Sequence, residues 1–268
     1  MIGSSRKRAG NHPLSAGSPG NPTFHAFRNN FFHAGLGKCL FQNTHHIIVR
    51  QHFRSLRKKD SSDLSFVTFR KLPLPWGNED TPRILETLKK HNVKVTFFMT
   101  GGWVESYPED VRAILADGHD LGNHSENHKN MSQLSDEQCQ EELMKVHTKV
   151  QELTGYEMFL FRPPYGDYDN HVITNAQKCG YYPIQWSIDS LDWKDYGVDD
   201  IVKRVVESDK LNNGAIILMH NGAKYTADAL DAVITGLQEK GYELVPISQL
   251  IYKDKYHMKA DGTQVSGE

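Results

Sequence analysis

From residue 64 onward, short apolar runs alternate with stretches in which apolar residues recur every three or four positions. The runs at 64–69, 93–99, 159–161, 181–187, 215–219 and 242–245 have the length and composition of strands. The stretches between them read as helices with their own start and stop signals. Thr81 followed by Pro82 reads as an N-cap with proline at the first helical position, leading into Ile84, Leu85 and Leu88. Ser135 and Gln138 form a capping-box pattern ahead of Leu143, Val146 and Val150, and Gly155 follows the end of that helix. Further helices are predicted at 108–117, 170–179, 198–208 and 226–240, with Gly180 and Gly241 just past two of the ends. Repeated strand–helix units predict an α/β domain with a parallel sheet covered by helices. About six or seven such units favour an irregular (β/α) barrel over an open sheet. In barrels the catalytic groups sit at the C-terminal ends of the strands, which says where to look for chemistry.

The first part of the chain has a different texture. From Met1 to about Asp63 it is punctuated by Gly, Pro, Ser, Asn and His, sustains neither period, and is basic; most acids lie beyond Asp63. It reads as a low-order extension, 1–63, ahead of a domain at 64–252 and a C-terminal tail at 253–268. Overall composition is that of an ordinary soluble domain, 38% hydrophobic and 24% charged, and a formal net charge of -2 gives no footing for nucleic-acid binding. No apolar run approaches the roughly 18 residues of a transmembrane helix, and no apolar region follows basic Arg6, Lys7 and Arg8, so no secretory signal is visible. Three cysteines, Cys39, Cys139 and Cys179, are an odd number without CxxC spacing, which argues against a disulfide framework or a thiolate zinc site. Cys139 and Cys179 fall in predicted helices and read as buried, inert thiols.

Four polar clusters stand in loops or at predicted strand ends. His124 and His128 in His124-Ser125-Glu126-Asn127-His128 have the spacing that sets two imidazoles on one side of a helical turn, converging on a cation; a pair of surface histidines has the same spacing. Arg162-Pro163-Pro164-Tyr165-Gly166 follows a strand directly. Its prolines fix the backbone, so that Arg162 can grip a carboxylate and the Tyr165 N–H can donate to an oxyanion, or the segment is simply a rigid turn. Asp189-Ser190-Leu191-Asp192-Trp193 sets acids beside an aromatic, suited to a tuned acid–base group, a sugar-stacking wall or a plain turn. His220 ends the run Ala215-Ile216-Ile217-Leu218-Met219, where a histidine serves as general acid or base or as a satisfied strand cap.

Taken together and in this order, the four clusters resemble the polysaccharide deacetylases, carbohydrate esterase family 4, with the NodB-type domain. The resemblance spans about residues 76–250, includes Thr81-Pro82-Arg83-Ile84-Leu85 and Thr96-Phe97-Phe98, and at Trp76-Gly77-Asn78-Glu79-Asp80-Thr81 is closest to the sporulation-associated branch. It implies metal-dependent hydrolysis of N-acetyl groups from an amino-sugar polymer such as peptidoglycan or chitin-like glycan. It also implies an extracellular or cell-wall setting, and the chain is expected to act as a monomer. By residue, it implies that His124 and His128 bind a divalent metal, usually zinc, and that Tyr165 completes the oxyanion site through its backbone N–H. Arg162 would orient the catalytic carboxylate, His220 protonate the departing amine with Asp192 tuning it, and Trp193 and Leu218 line the pocket for the acetyl methyl group.

One part of the family pattern is missing. The family opens on a strand ending Thr-Phe-Asp-Asp, the first Asp a base and the second the third metal ligand. This chain reads Thr68-Phe69-Arg70-Lys71-Leu72-Pro73-Leu74-Pro75-Trp76-Gly77. Aligned on Thr68-Phe69, Arg70 and Lys71 replace both acids; aligned on Trp76-Gly77, Lys71-Leu72-Pro73 stand where Thr-Phe-Asp belongs. Reversing charge beside a cation weakens metal binding and removes proton abstraction. Glu79 or Asp80 is the nearest acid to take over, and a shifted reading frame or a wrong start over residues 1 to about 75 would account for the break. The competing functions are a catalytically inactive glycan-binding domain in the same groove and a glycosidase using Asp189 and Asp192.

Overall fold

The computed structural model describes residues 78–267, together with the backbone of two strands, β1 (Arg50–Gln51) and β2 (Asp63–Arg70). All of it belongs to the unit Asn43–Glu268. The low-order reading of 1–63 and the reading-frame expectation for 1–75 fall, apart from those two strands, outside the described residues.

The order along the chain is α1 (Thr81–Lys90), β3 (Thr96–Met99), α2 (Gly101–Ser106), α3 (Pro108–Ala116), β4 (Asp120–Asn123), α4 (Asp136–Thr154), β5 (Leu160–Phe161), α5 (Asn170–Lys178), β6 (Tyr182–Pro183), β7 (Ile188–Asp189), α6 (Val198–Val206), β8 (Ala215–His220), α7 (Thr226–Glu239), β9 (Tyr242–Leu244), α8 (Ile247–Leu250), β10 (Tyr256–Met258) and β11 (Thr263–Ser266). The main sheet runs β6-β5-β4-β3-β2-β8-β7, with β9 paired to the start of β2 and every pairing parallel. Among the described residues no ladder joins β6 to β7, so the wall is an α/β barrel left incomplete, as the alternation of runs predicts.

Alternation along β8 shows how the layers form. Ala215, Ile217 and Met219 pack in the larger core beneath the helices, with Leu143, Val146, Val205, Leu230 and Ile234. Ile216 points the other way, into a second cluster with Phe98, Leu160, Ile184 and Ile247. Period-two geometry puts Leu218 and His220 on the same face as Ile216. Gly122 of β4 allows this inner packing, because a Cβ there would lie 2.5 Å from the Phe98 ring.

Several local readings hold in detail and others shift. Ser135 accepts from the Gln138 N–H at 3.3 Å while its own N–H donates to Gln138 Oε1 at 3.0 Å, a complete capping box, and Gly155 closes α4 in the left-handed region at φ 75°. The residue preceding α1 is Asp80, so Thr81 is the first helical residue rather than the cap, and its hydroxyl accepts the Asn221 amide at 2.8 Å. The run at 181–187 divides: β6 pairs with β5, and the chain then crosses to build β7 against β8. Cys139 is buried in α4, where burial pushes its thiol up to about 11, while Cys179 caps α5. The segment set apart as a tail carries the antiparallel hairpin β10–β11, with β11 parallel to β1; buried Gln264 makes two 2.7 Å bonds to the backbone of Tyr252. Among the described residues no helix is long and apolar enough to cross a membrane.

Candidate active site at the carboxyl ends of the strands

Parallel register collects the motifs along one edge of the sheet. Arg70 of β2 is the register partner of His220 on β8 and of Phe98 on β3; Phe98 pairs in turn with Gly122, and Asn123 with Phe161. His124 follows β4 and Arg162 follows β5, so the side chains singled out by their order come from adjacent strand ends.

The tightest part is the pair Asp192–His220. Both are fully buried, and the carboxylate accepts four hydrogen bonds: from His220 Nδ1 (2.6 Å) and the Trp193 N–H (3.0 Å) on Oδ1, and from the His220 N–H (2.6 Å) and the Thr226 hydroxyl (2.6 Å) on Oδ2. Four donors fill the carboxylate's lone-pair positions. Burial pushes the Asp192 carboxyl up, but the hydrogen bonds from His220 and Thr226 outweigh it and hold the group below the usual carboxylate range. With Nδ1–H committed to Asp192, Nε2 is the His220 nitrogen left for proton exchange.

The His124–His128 segment is built differently. It is not a helical turn: Ser125 (φ 65°) and His128 (φ 55°) are both left-handed, and the rings meet edge to face with centroids 4.8 Å apart. Asn123 imposes that path. Its Oδ1 accepts the Ser125 N–H at 2.9 Å, and its amide donates to the Leu143 carbonyl at 2.8 Å and the Tyr181 hydroxyl at 2.9 Å. Ser125 Oγ then accepts the His128 N–H at 2.9 Å. His124 Nδ1 donates to the Arg162 carbonyl at 2.6 Å, which leaves Nε2 as the ring's lone-pair nitrogen. The nearby acids serve the loop: Glu142 accepts from the Asn127 N–H (2.7 Å), the Asn127 amide (2.8 Å) and Lys129 (2.9 Å), and Glu126 pairs with Lys149. Burial pushes the Glu142 carboxyl up, and those donors bring it below its ordinary value.

The family's metal can be tested against this donor set. A catalytic zinc site takes three protein ligands. The two histidines offer nitrogens, but among the described residues no three His, Cys, Asp or Glu side chains gather to hold an ion. Asp80 instead pairs with Arg83 at 3.3 Å and Glu79 is exposed, so neither acid completes a triad. The described residues therefore do not fit a metal site.

The remaining residues are placed as follows. Arg162 is fully buried, its guanidinium 4.3 Å from the Phe98 ring centroid and 5.6 Å from that of Trp186. Tyr165 sits at φ 59°, exposed, its ring 4.5 Å from that of His128; Gly166 after it also has positive φ, and a Cβ there would meet Trp186 at 2.9 Å. Trp193 is 40% exposed with Lys194 Nζ over its ring, whereas Leu218 is buried on the His220 face of β8. Asp189 caps its own turn, accepting the Leu191 N–H at 2.9 Å, and Asp192 is saturated, so the two acids do not form a free pair for glycoside chemistry. Sequence reasoning missed Asn123, Glu142 and Thr226. Asn123 stands beside a recognised histidine, which is a signal of a kind; Glu142 and Thr226 come from distant helices and have none.

The family described as polysaccharide deacetylase matches residues 57–184. The chain is 35% identical over 204 residues to the uncharacterised protein YlxY of Bacillus subtilis (strain 168), covering 75% of this chain and 63% of that one, so it spans less than two thirds of that relative. It is 33% identical over 191 residues to the peptidoglycan-N-acetylmuramic acid deacetylase PdaA of the same organism, covering 68% of this chain and 70% of PdaA. Among solved structures, wild-type BA3943 of Bacillus anthracis, described as a CE4 family pseudoenzyme, superposes with a TM-score of 0.66 at 34% identity, covering 77% of this chain and 68% of that one.

Proposed function

The chain belongs to the polysaccharide deacetylase family, and from that premise we propose that residues 64–252 bind an N-acetylated amino-sugar polymer, with peptidoglycan the first choice, and are impaired in hydrolysing it. Hydrolysis adds water to the acetyl carbonyl carbon and breaks the C–N bond; acetate leaves, and the sugar amine must gain a proton. His220 Nε2 is the group to pass that proton on: it takes up the proton released by the attacking water, forming an imidazolium whose Nδ1–H Asp192 holds, and gives it to the amine. The Tyr165 N–H is the donor to the carbonyl oxygen, and Trp193 with Leu218 forms the wall for the acetyl methyl. Arg162 would hold a catalytic carboxylate, and where the resemblance expects that acid this chain carries Arg70 or, aligned on Trp76-Gly77, Pro73. No step passes through a metal, because the described donors stop at His124 and His128.

The observation that carries this reading is a contrast between neighbouring strand ends: a saturated Asp192–His220 pair on the β8 side, and Arg70 at the adjoining register position of β2. A pseudoenzyme of the same family among the similar structures supports it. The test is calorimetric titration with N-acetyl-chitooligosaccharide and with peptidoglycan fragments, each against its de-N-acetylated counterpart. Binding that weakens at least tenfold when the acetyl groups are removed is expected. Equal binding to both forms, or binding to neither, would sink the proposal, and new reducing ends without acetate would indicate a glycosidase.

A further inference from the structure

We propose that Thr226 is a positioning residue of the proton-transfer pair: its hydroxyl fixes the orientation of Asp192 and, through it, the tautomer of His220. The inference rests on the reading of His220 as the proton donor, but its test does not need turnover.

The argument begins with where the four donors to Asp192 come from. Two belong to His220 itself, and a third is the N–H of Trp193, the next residue in the chain. A pair held by these alone would be fixed only to the end of β8 and to its own loop. That loop is irregular, with left-handed residues on both sides, Leu191 at φ 51° and Asp195 at φ 56°. Thr226 is the one donor from outside β8 and the Asp192 loop; it is the first residue of α7 and is fully buried. Two consecutive turns bring it back over β8: the Ala223 N–H donates to the His220 carbonyl at 3.3 Å, and the Thr226 N–H donates to the Ala223 carbonyl at 3.0 Å. Helix α7 is anchored in the main core through Ala229, Leu230, Val233, Ile234 and Leu237. Thr226 thus ties the orientation of the carboxylate to a rigid part of the fold.

Orientation matters because a neutral imidazole has one N–H, and the acceptor that takes it decides which nitrogen carries it. While Oδ1 stays in line with Nδ1, the proton stays there and Nε2 is presented. If Oδ2 loses Thr226, it keeps only the His220 N–H, and the carboxylate can rotate away from Nδ1. Valine has nearly the shape of threonine without the hydroxyl, and serine has the hydroxyl without the methyl. The two substitutions therefore separate hydrogen bonding from packing.

The experiment uses the full chain with 15N-labelled histidine, comparing the wild type with Thr226→Val and Thr226→Ser. The His220 ring nitrogens and the slowly exchanging Nδ1 proton are read by NMR without substrate. The wild type and Thr226→Ser are expected to show one tautomer with Nδ1 protonated. Thr226→Val is expected to lose the protected Nδ1–H signal and to show exchange between tautomers. Should the valine variant fail to fold, Thr226→Ala gives the same readout with space to spare. An unchanged Nδ1–H tautomer in a folded Val or Ala variant overturns the proposal, as does a serine variant that behaves like valine. Failure to bind acetylated glycan would overturn the functional reading and leave this result standing.

Discussion

The two histidine-bearing strand ends are held in opposite ways. At His220 a buried carboxylate faces the imidazole, and its charge is answered by four donors within 3.0 Å. The His124 ring is set by the Arg162 carbonyl and the His128 N–H is held by the Ser125 hydroxyl, while the carboxylates of Glu126 and Glu142 turn toward lysines and the Asn127 amides. The first arrangement places its carboxylate on the imidazole; the second commits its nearest carboxylates to the loop. The Asp192–His220 network draws its donors from His220, Trp193 and Thr226, and none of them comes from β2.

That contrast can be attacked where it is strongest. Asp192→Ala leaves His220, the Trp193 N–H and Thr226 facing a buried void, and a loss of about 3–5 kcal/mol is expected from removing one partner of such a buried pair, read from urea denaturation. A cost near that of an ordinary surface change would show that the pair is not integral to the fold.

Acidification sharpens the comparison. His119 at the opposite end of β4 is buried, its Nδ1 accepting the Val95 N–H at 3.1 Å, and burial lowers it to about 4. Its folded value lies below the unfolded value of 6.5, so its contribution is complete above pH 6.5 and is lost as pH falls toward 4. That loss reaches at most about 3 kcal/mol. The Asp192 and Glu142 carboxyls are held below their ordinary values of 3.8 and 4.5, so their contributions begin to fade only at the acid end of this window and are lost below it. His119→Asn should flatten the pH 4–6.5 limb of the stability curve. A limb that survives this change would assign the loss elsewhere.

The smallest expected effect is on the other side of the site. Glu142→Ala removes the acceptor of the Asn127 N–H, but Lys129 beside it is half exposed and water can enter, so about 1–2 kcal/mol is expected. Hydrogen exchange should quicken at Asn127 and His128 and stay unchanged at His220. Equal acceleration at both strand ends would mean that the two networks are one.

Much of this was legible in the residues. Ser135 and Gln138 announced the start of α4 because a capping box is a local device, and the run 215–219 announced β8 because burial on both faces demands continuous apolar side chains. Strand β4 was not legible. Asp120-Leu121-Gly122-Asn123 is polar, and it is a buried strand only because Thr96 and Ser248 satisfy Asp120 while Leu143 and Tyr181 satisfy Asn123. Those partners lie 20 or more residues away in the chain. For the same reason the spacing of His124 and His128 suggested a helical turn where left-handed residues make the approach, and Thr226 carried no signal at all. What the motifs did announce was which side chains stand at the strand ends; how each is held depended on distant partners.

The central claim is that a base is missing from an otherwise retained site, and acetate release tests it most directly. The full chain and its Arg70→Asp/Lys71→Asp variant would be assayed on N-acetyl-chitooligosaccharide with and without zinc. The account predicts background release from the chain as it stands. It predicts release at least tenfold higher, zinc-dependent and abolished by His220→Ala, from the variant. Zinc-dependent release by the unaltered chain at a rate the variant does not exceed would contradict it.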